Sequence, residues 1–154
     1  MGAVTGDAIA RAVLDANSFM TLATADESGV PWASPVWFAT EDYRALYWVS
    51  SPLARHSRNL AVRPALSIVV FDSTVLPGSV QAVYMVAVAE QLSESDLEPG
   101  LGMFSRVSVR HGLRDFGADG VTGDAHLRLY RATVTEHYIL DPNAPVDVRI
   151  AVSP

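Results

Sequence analysis

Apolar and polar residues change period repeatedly along the 154-residue chain, and each change marks an element. From Thr5 to Ala16, residues Ile9, Ala10, Val13 and Leu14 fall on one side of a helical repeat, which predicts an amphipathic helix. "FMTLATA" (Phe19–Ala25) is short, apolar and rich in strand formers. "DESG" is a turn, and "VPWASPVWFAT" (Val30–Thr40) is the return strand of a hairpin. A second turn, "EDYR", leads to a third strand, "ALYWVS" (Ala45–Ser50), and then to a helix over Pro52–Val62. Pro64 closes that helix, because the residue before a proline avoids helical angles.

"ALSIVVF" (Ala65–Phe71), apolar apart from Ser67, predicts a fourth strand apolar enough to be buried on both faces. "QAVYMVAVAEQL" (Gln81–Leu92) predicts a long fifth strand. Ser93 with Asp96 resembles a capping box opening a helical stretch to about Arg110, weakened early by Pro99 and Gly100. "LRLYRATVTEHYIL" (Leu127–Leu140) alternates strongly and is the sixth strand; the tail after it leaves room for a short edge strand. Six strands joined mostly by tight turns predict a mainly β chain folded as a small closed or partly closed barrel. A doubly wound fold needs a helix after nearly every strand, and the first two strands here have none.

Composition narrows the classes. Hydrophobic residues make up 49% and charged residues 18%, which fits one globular domain over 1–154, with an N-terminal helix (1–17) and a C-terminal tail (141–154). No apolar run approaches the ~20 residues of a membrane helix. Asp7 and Asp15 interrupt the N-terminal apolar pattern, so the expectation is a helix there and not an export signal, and a cytoplasmic protein. Gly2 followed by Gly6 lacks the Ser or Thr of a myristoylation signal. Cysteine is absent, which excludes disulfides, thiolate metal sites and a cysteine nucleophile. The net charge is −6 and all 11 basic residues are arginine, not the footprint of a nucleic-acid binder.

The densest chemistry lies in "VSSPLARHSRNL" (Val49–Leu60). Ser51 suits an N-cap and Pro52 the first helical position, so a strand end is expected to turn straight into a helix. The first N–H groups of such a helix have no internal partners and attract anions. Arg55 and Asn59 share one face, Leu53 and Leu60 are expected to enter the core, and His56 lies between the two. Arg55 and His56 lean back toward the helix start, beside the Ser50 and Ser51 hydroxyls. A phosphate monoester is the ligand that such donors suit. The residues alone leave a second account open, a capped surface helix with solvated arginines.

The order of elements resolves this choice. "FMTLATADESGVPWASPVWFAT" followed by "ALYWVSSPLARHSRNLAVRPALSIVVFD" resembles the pyridoxamine 5'-phosphate oxidase-like, FMN-binding split-barrel superfamily, and the likeness runs from Phe19 to about Leu140. The resemblance implies a six-stranded split barrel with a helix between strands three and four. It also implies a homodimer with the cofactor, FMN, at the subunit interface. It assigns the flavin phosphate to Ser50, Ser51, Arg55 and His56, next to Val49, with Asn59 in support. Ser34, Pro35, Val36 and Trp37 would run beside the flavin ring, and Gln81 or its neighbour would approach that ring from the fifth strand. No metal is implied, and the expected partner besides a second copy is a small-molecule substrate, with no nucleic acid and no membrane.

Two departures matter. Many relatives place Arg-Lys where this chain has Arg55-His56. Histidine titrates near ~6.5, so a charged His56 predicts FMN binding that weakens from about pH 6 to about pH 8. The oxidases that act on pyridoxamine phosphate also use a lysine on the second strand and an Arg–His pair near the C-terminus. Here Phe38 and Ala39 stand in the lysine's region and the chain ends "DVRIAVSP", so oxidation of that substrate is not expected. The functions left in play are a flavin-dependent oxidoreductase, a deazaflavin-dependent reductase, a protein that binds flavin or heme without turnover, and a barrel whose site has decayed.

Other motifs carry less. Trp32, Trp37 and Trp48 are expected in core or dimer packing. His56 and Ser57 are adjacent on a helix and point apart, which rules out a nucleophile pair. His111, His126 and His137 lack ligand spacing. Glu94 and Asp96 read as a solvated helix start. "DFG" at 115–117 is a chance match without a kinase lysine.

Overall fold

The computed structural model describes residues 4–154. The first helix, α1 (Gly6–Ala16), is capped by Thr5, whose Oγ1 accepts from the Ala8 N–H, and it buries Ala10 and Leu14. The strands are β1 (Phe19–Ala25), β2 (Pro31–Trp37), β3 (Ala45–Ser50), β4 (Ala65–Phe71), β5 (Ala82–Gln91), β6 (Arg128–Leu140) and β7 (Arg149–Val152). Two further helices are α2 (Arg55–Val62) and α3 (Leu97–Arg110). The six predicted strands are present, and the tail supplies a short seventh.

The strands form one antiparallel sheet in the order β2-β1-β4-β5-β6-β3, with β7 paired to the end of β6. β6 is long enough to serve three neighbours. Arg128–Thr133 pair with β3, His137–Leu140 pair with β7, and its other edge pairs with β5 across an irregularity at Val86/Ala87. The curled sheet brings its end strands, β2 and β3, together. Among the described residues they pair only through a bridge just beyond β2, between Ala39 and Tyr47. The barrel is closed at that bridge and open along the rest of the seam.

Leu22, Ile68, Val70, Val83, Met85, Trp48 and Ile139 fill the barrel interior. A second core lies outside the wall, where α3 packs Leu101, Phe104 and Val107 against Leu92, Leu129 and Ala39. Pro99 sits in the first turn of α3, where its missing N–H removes no helical bond. Gly100 is needed by close approach, since a Cβ there would lie 2.6 Å from Leu92 Cδ1 and 3.1 Å from Tyr47 Cε1.

Two expectations change. β4 alternates instead of burying both faces: Leu66, Ile68 and Val70 point inward while Ala65, Ser67 and Phe71 face out. The run reads as nearly continuous because Ala65, Val69 and Phe71 make the outer face largely apolar too. Also, α2 starts at Arg55, three residues later than the Pro52 start. Ser51 Oγ accepts from the Leu53 N–H and its carbonyl from the Ala54 N–H, so Ser51 caps a turn ahead of the helix. Leu53 is consequently 78% exposed on that turn and does not enter the core, whereas Leu60 does.

Candidate functional site

The open seam between β2 and β3 is where the chain gathers its polar side chains. α2 lies against β1 and β2, held by Asn59. That side chain is buried, and its Nδ2 donates to Thr24 Oγ1 on β1 at 3.0 Å. At the helix end, Arg63 donates to the carbonyls of Asp26 and Glu27 at 2.7 and 2.9 Å, fixing α2 to the β1–β2 turn. With the helix anchored at both places, its first turn carries His56 into the seam. The imidazole lies between the two end strands, with Nδ1 3.2 Å from Ser34 Oγ on β2 and Nε2 2.8 Å from Ser50 Oγ on β3. Backbone pairing has lapsed here, and one histidine ring spans the gap.

Burial pushes the His56 pKa below its ordinary value. Burial thus favours the neutral ring in the ligand-free protein, against the charged His56 on which the expected weakening of FMN binding from about pH 6 to about pH 8 rests. The remaining positive charge is Arg55, whose guanidinium lies 4.4 Å from the centre of the Trp32 ring. Trp32 is 42% exposed, and its indole N–H donates to Ser34 Oγ at 2.9 Å. The first N–H groups of α2 add backbone donors with no carbonyl of their own helix to receive them. Two serine hydroxyls, a guanidinium and a helix start form a donor set suited to an anion with several oxygens.

The other predicted residues divide between walls and elsewhere. Val36 points into the barrel core, and Pro35 faces outward opposite Thr21. Trp37 packs edge-on to Phe104 at 5.4 Å and to His111 at 6.1 Å, so its ring is engaged with α3. Val49 packs on the same second core. Gln81 is not brought to the seam within one chain: it lies beside α1, and its Nε2 donates to the Leu140 carbonyl at 2.9 Å. Sequence reasoning missed Trp32, which was assigned to packing. The signal was its position two residues before Ser34, which puts both on one face of β2.

The fold has counterparts among known proteins. The sequence profile of the pyridoxamine 5'-phosphate oxidase family matches residues 7–139. The chain belongs to that family. Its fold is the split barrel of this family's relatives. A heme-binding protein from Mycobacterium smegmatis superposes with a TM-score of 0.74 at 19% identity, over 99% of this chain and 60% of that one. HutZ, the heme storage protein of Vibrio cholerae, superposes at 0.64 with 25% identity, over 81% of this chain and 87% of that one. A protein described as an F420 reductase superposes at 0.61 with 18% identity, covering 83% and 94% respectively. This chain thus spans less than two thirds of the mycobacterial protein's length. No curated protein matches in sequence. Among the described residues no helix is long and apolar enough to cross a membrane.

Proposed function

We propose that this protein is an FMN-binding oxidoreductase that acts on a small molecule, as a homodimer with flavin at the subunit interface. The observation that carries this reading is the meeting of Ser34, His56 and Ser50 at the unpaired seam, with Arg55 over Trp32 beside it and Ser51 in the turn that leads into α2. Their hydroxyl, guanidinium and helix-start donors match the oxygens of a phosphate monoester. A bound flavin supplies the hydride chemistry, and the chain supplies binding, orientation and exclusion of water. The deazaflavin coenzyme carries a comparable phosphate and ring, and the likeness to an F420 reductase supports it as the alternative cofactor.

The dimer rests on the outer face of the sheet. Phe19, Phe71, Val86 and Val88 are all exposed there, on β1, β4 and β5. An apolar sheet face of this kind is stable in water when another surface covers it. In such a dimer, Gln81 and the outward side of β2 take their cofactor roles through the second copy.

Pyridoxamine 5'-phosphate itself is not the expected substrate. Phe38 and Ala39, in the region of the relatives' substrate lysine, are both buried in packing, with no charge to offer.

The test is titration of purified protein with FMN, riboflavin and the deazaflavin coenzyme. Binding of FMN tighter than riboflavin by tenfold or more supports the phosphate site, since a charge-assisted contact is worth about 1.5–3 kcal/mol and each tenfold in affinity is about 1.4 kcal/mol. Equal affinities would defeat it. A second reading, heme binding without turnover, is favoured by the 25% identity to HutZ. A strong Soret band on adding heme, with no affinity for FMN, would select it.

A further inference from the structure

Trp32 touches two members of the cluster, Ser34 on β2 and Arg55 on α2, and its indole nitrogen can only donate. Its N–H is given to Ser34 Oγ at 2.9 Å, which leaves Ser34 one hydrogen of its own. Among the described residues, the acceptor beside that hydroxyl is His56 Nδ1 at 3.2 Å. If Nδ1 accepts, the neutral ring carries its hydrogen on Nε2 and donates it to Ser50 Oγ at 2.8 Å. Ser50 then keeps its own hydroxyl hydrogen, at the buried end of β3 and next to the start of α2. All bonds in this chain run in one direction, and such chains strengthen through mutual polarisation. The reverse direction loads Ser34 Oγ with two hydrogens, uses the Ser50 hydrogen on His56, and leaves Ser34's without an acceptor.

We propose that Trp32 is a positioning residue for the ligand's phosphate: its indole N–H sets the direction of the Ser34–His56–Ser50 chain, so that Ser50 presents a hydrogen to a phosphate oxygen, and its ring holds the Arg55 guanidinium beside that turn. This role rests on the phosphate-binding reading above. It also accounts for a histidine where relatives use lysine. His56 here works neutral, as an oriented link between two serines, and the positive charge falls to Arg55. The cation lies on an aromatic face, 4.4 Å from the ring centre, which limits where an otherwise exposed side chain can go.

The test combines imidazole nitrogen NMR on ligand-free protein with FMN and riboflavin titrations, for the wild type, Trp32→Phe and Ser34→Ala. The wild type is expected to show His56 as the Nε2–H tautomer. Trp32→Phe keeps a ring under Arg55 but removes the N–H. It should mix the tautomers and weaken FMN by about threefold to tenfold, the worth of one oriented hydrogen bond, while riboflavin binding stays unchanged. Ser34→Ala removes the hydroxyl that links the indole N–H to His56 while leaving the Trp32 ring under Arg55, and should reproduce both effects, which keeps the proposal testable if the tryptophan variant folds poorly. An Nδ1–H or doubly protonated His56 in the wild type would overturn the direction of the chain. Trp32→Phe and Ser34→Ala proteins with wild-type preference for FMN over riboflavin would overturn the role of Trp32 alone. A wild type that binds no FMN would remove the phosphate reading itself, and the ligand role of Trp32 with it.

Discussion

Ala39 and Tyr47 exchange two backbone hydrogen bonds of 2.9 Å each and join the two end strands of the sheet. From this bridge the strands diverge, and at Ser34 and Ser50 they are far enough apart to admit the His56 ring between them. The seam is therefore closed by backbone at one point and by a side chain at the other. Removing that side chain should loosen the seam more than the barrel. His56→Ala leaves Ser50 Oγ, in a residue only 8% exposed, without its partner, a loss of about 1–3 kcal/mol. Hydrogen exchange should rise in β2 and β3 and stay slow in β4 and β5. Uniform acceleration across all strands would show that His56 supports the whole core.

Arg55 and Arg58 differ in what they face. Arg55 lies over Trp32 at the start of α2, whereas Arg58 is exposed one turn further along. Arg55→Ala should weaken FMN by about tenfold or more, corresponding to ~1.5–3 kcal/mol for a charge-assisted contact, and leave riboflavin nearly unaffected. Arg58→Ala should change neither. Parallel losses of both ligands on Arg55→Ala would place Arg55 against some other part of the flavin.

The pH behaviour follows from two histidines. Burial lowers the pKa of His56. Burial also lowers that of His137, opposed by its bond to the Tyr43 carbonyl and assisted by Arg44. Near pH 6.5 and below, the unfolded chain binds protons that the folded chain does not, so stability is full above about pH 6.5 and declines as pH falls through the depressed folded values. Thermal melts from about pH 7.5 down to about pH 5.5 should show this decline, and a His56→Gln, His137→Gln double variant should flatten it. FMN affinity should stay level between about pH 7 and about pH 8.5, since a neutral His56 has no charge to lose there. A steep fall in that range would mean that bound phosphate draws a proton onto the ring.

Most of the fold was legible because period and turn chemistry agreed. The six strands fall where alternation and strand formers placed them, and the hairpin turns carry the expected Gly and Asp. The local geometry at Ser51 was not legible: Ser-Pro suits a helix start, but Ser51 instead closes a separate turn before Arg55. Within the site, the sequence showed that Ser50, Ser51, Arg55 and His56 share one segment. It could not show Ser34 and Trp32 joining them, because that meeting depends on how the barrel curls β2 back onto β3. Nor could it separate an apolar run buried on both sides from one such as β4, whose outer face is exposed in the single chain although largely apolar.

That outer face gives the last prediction. Val86 and Val88 are 42% and 49% exposed on β5, opposite Ser67 and Ala65 of β4, and Phe71, 44% exposed, lies at the other end of the same outer face, opposite Ala82. Charge placed there should be tolerated by a monomer and not by a buried interface, where an unpaired ion costs several kcal/mol. Wild-type protein at micromolar concentration should sediment at about twice the chain mass. Val88→Glu should shift it toward the monomer while leaving far-ultraviolet circular dichroism unchanged. If flavin is held between two copies, the same variant should also lose FMN, although the Ser34–His56–Ser50 cluster in each chain is intact. A Val88→Glu protein that remains dimeric would move the interface elsewhere on the surface. One that becomes monomeric and still binds FMN with full affinity would show that a single seam suffices.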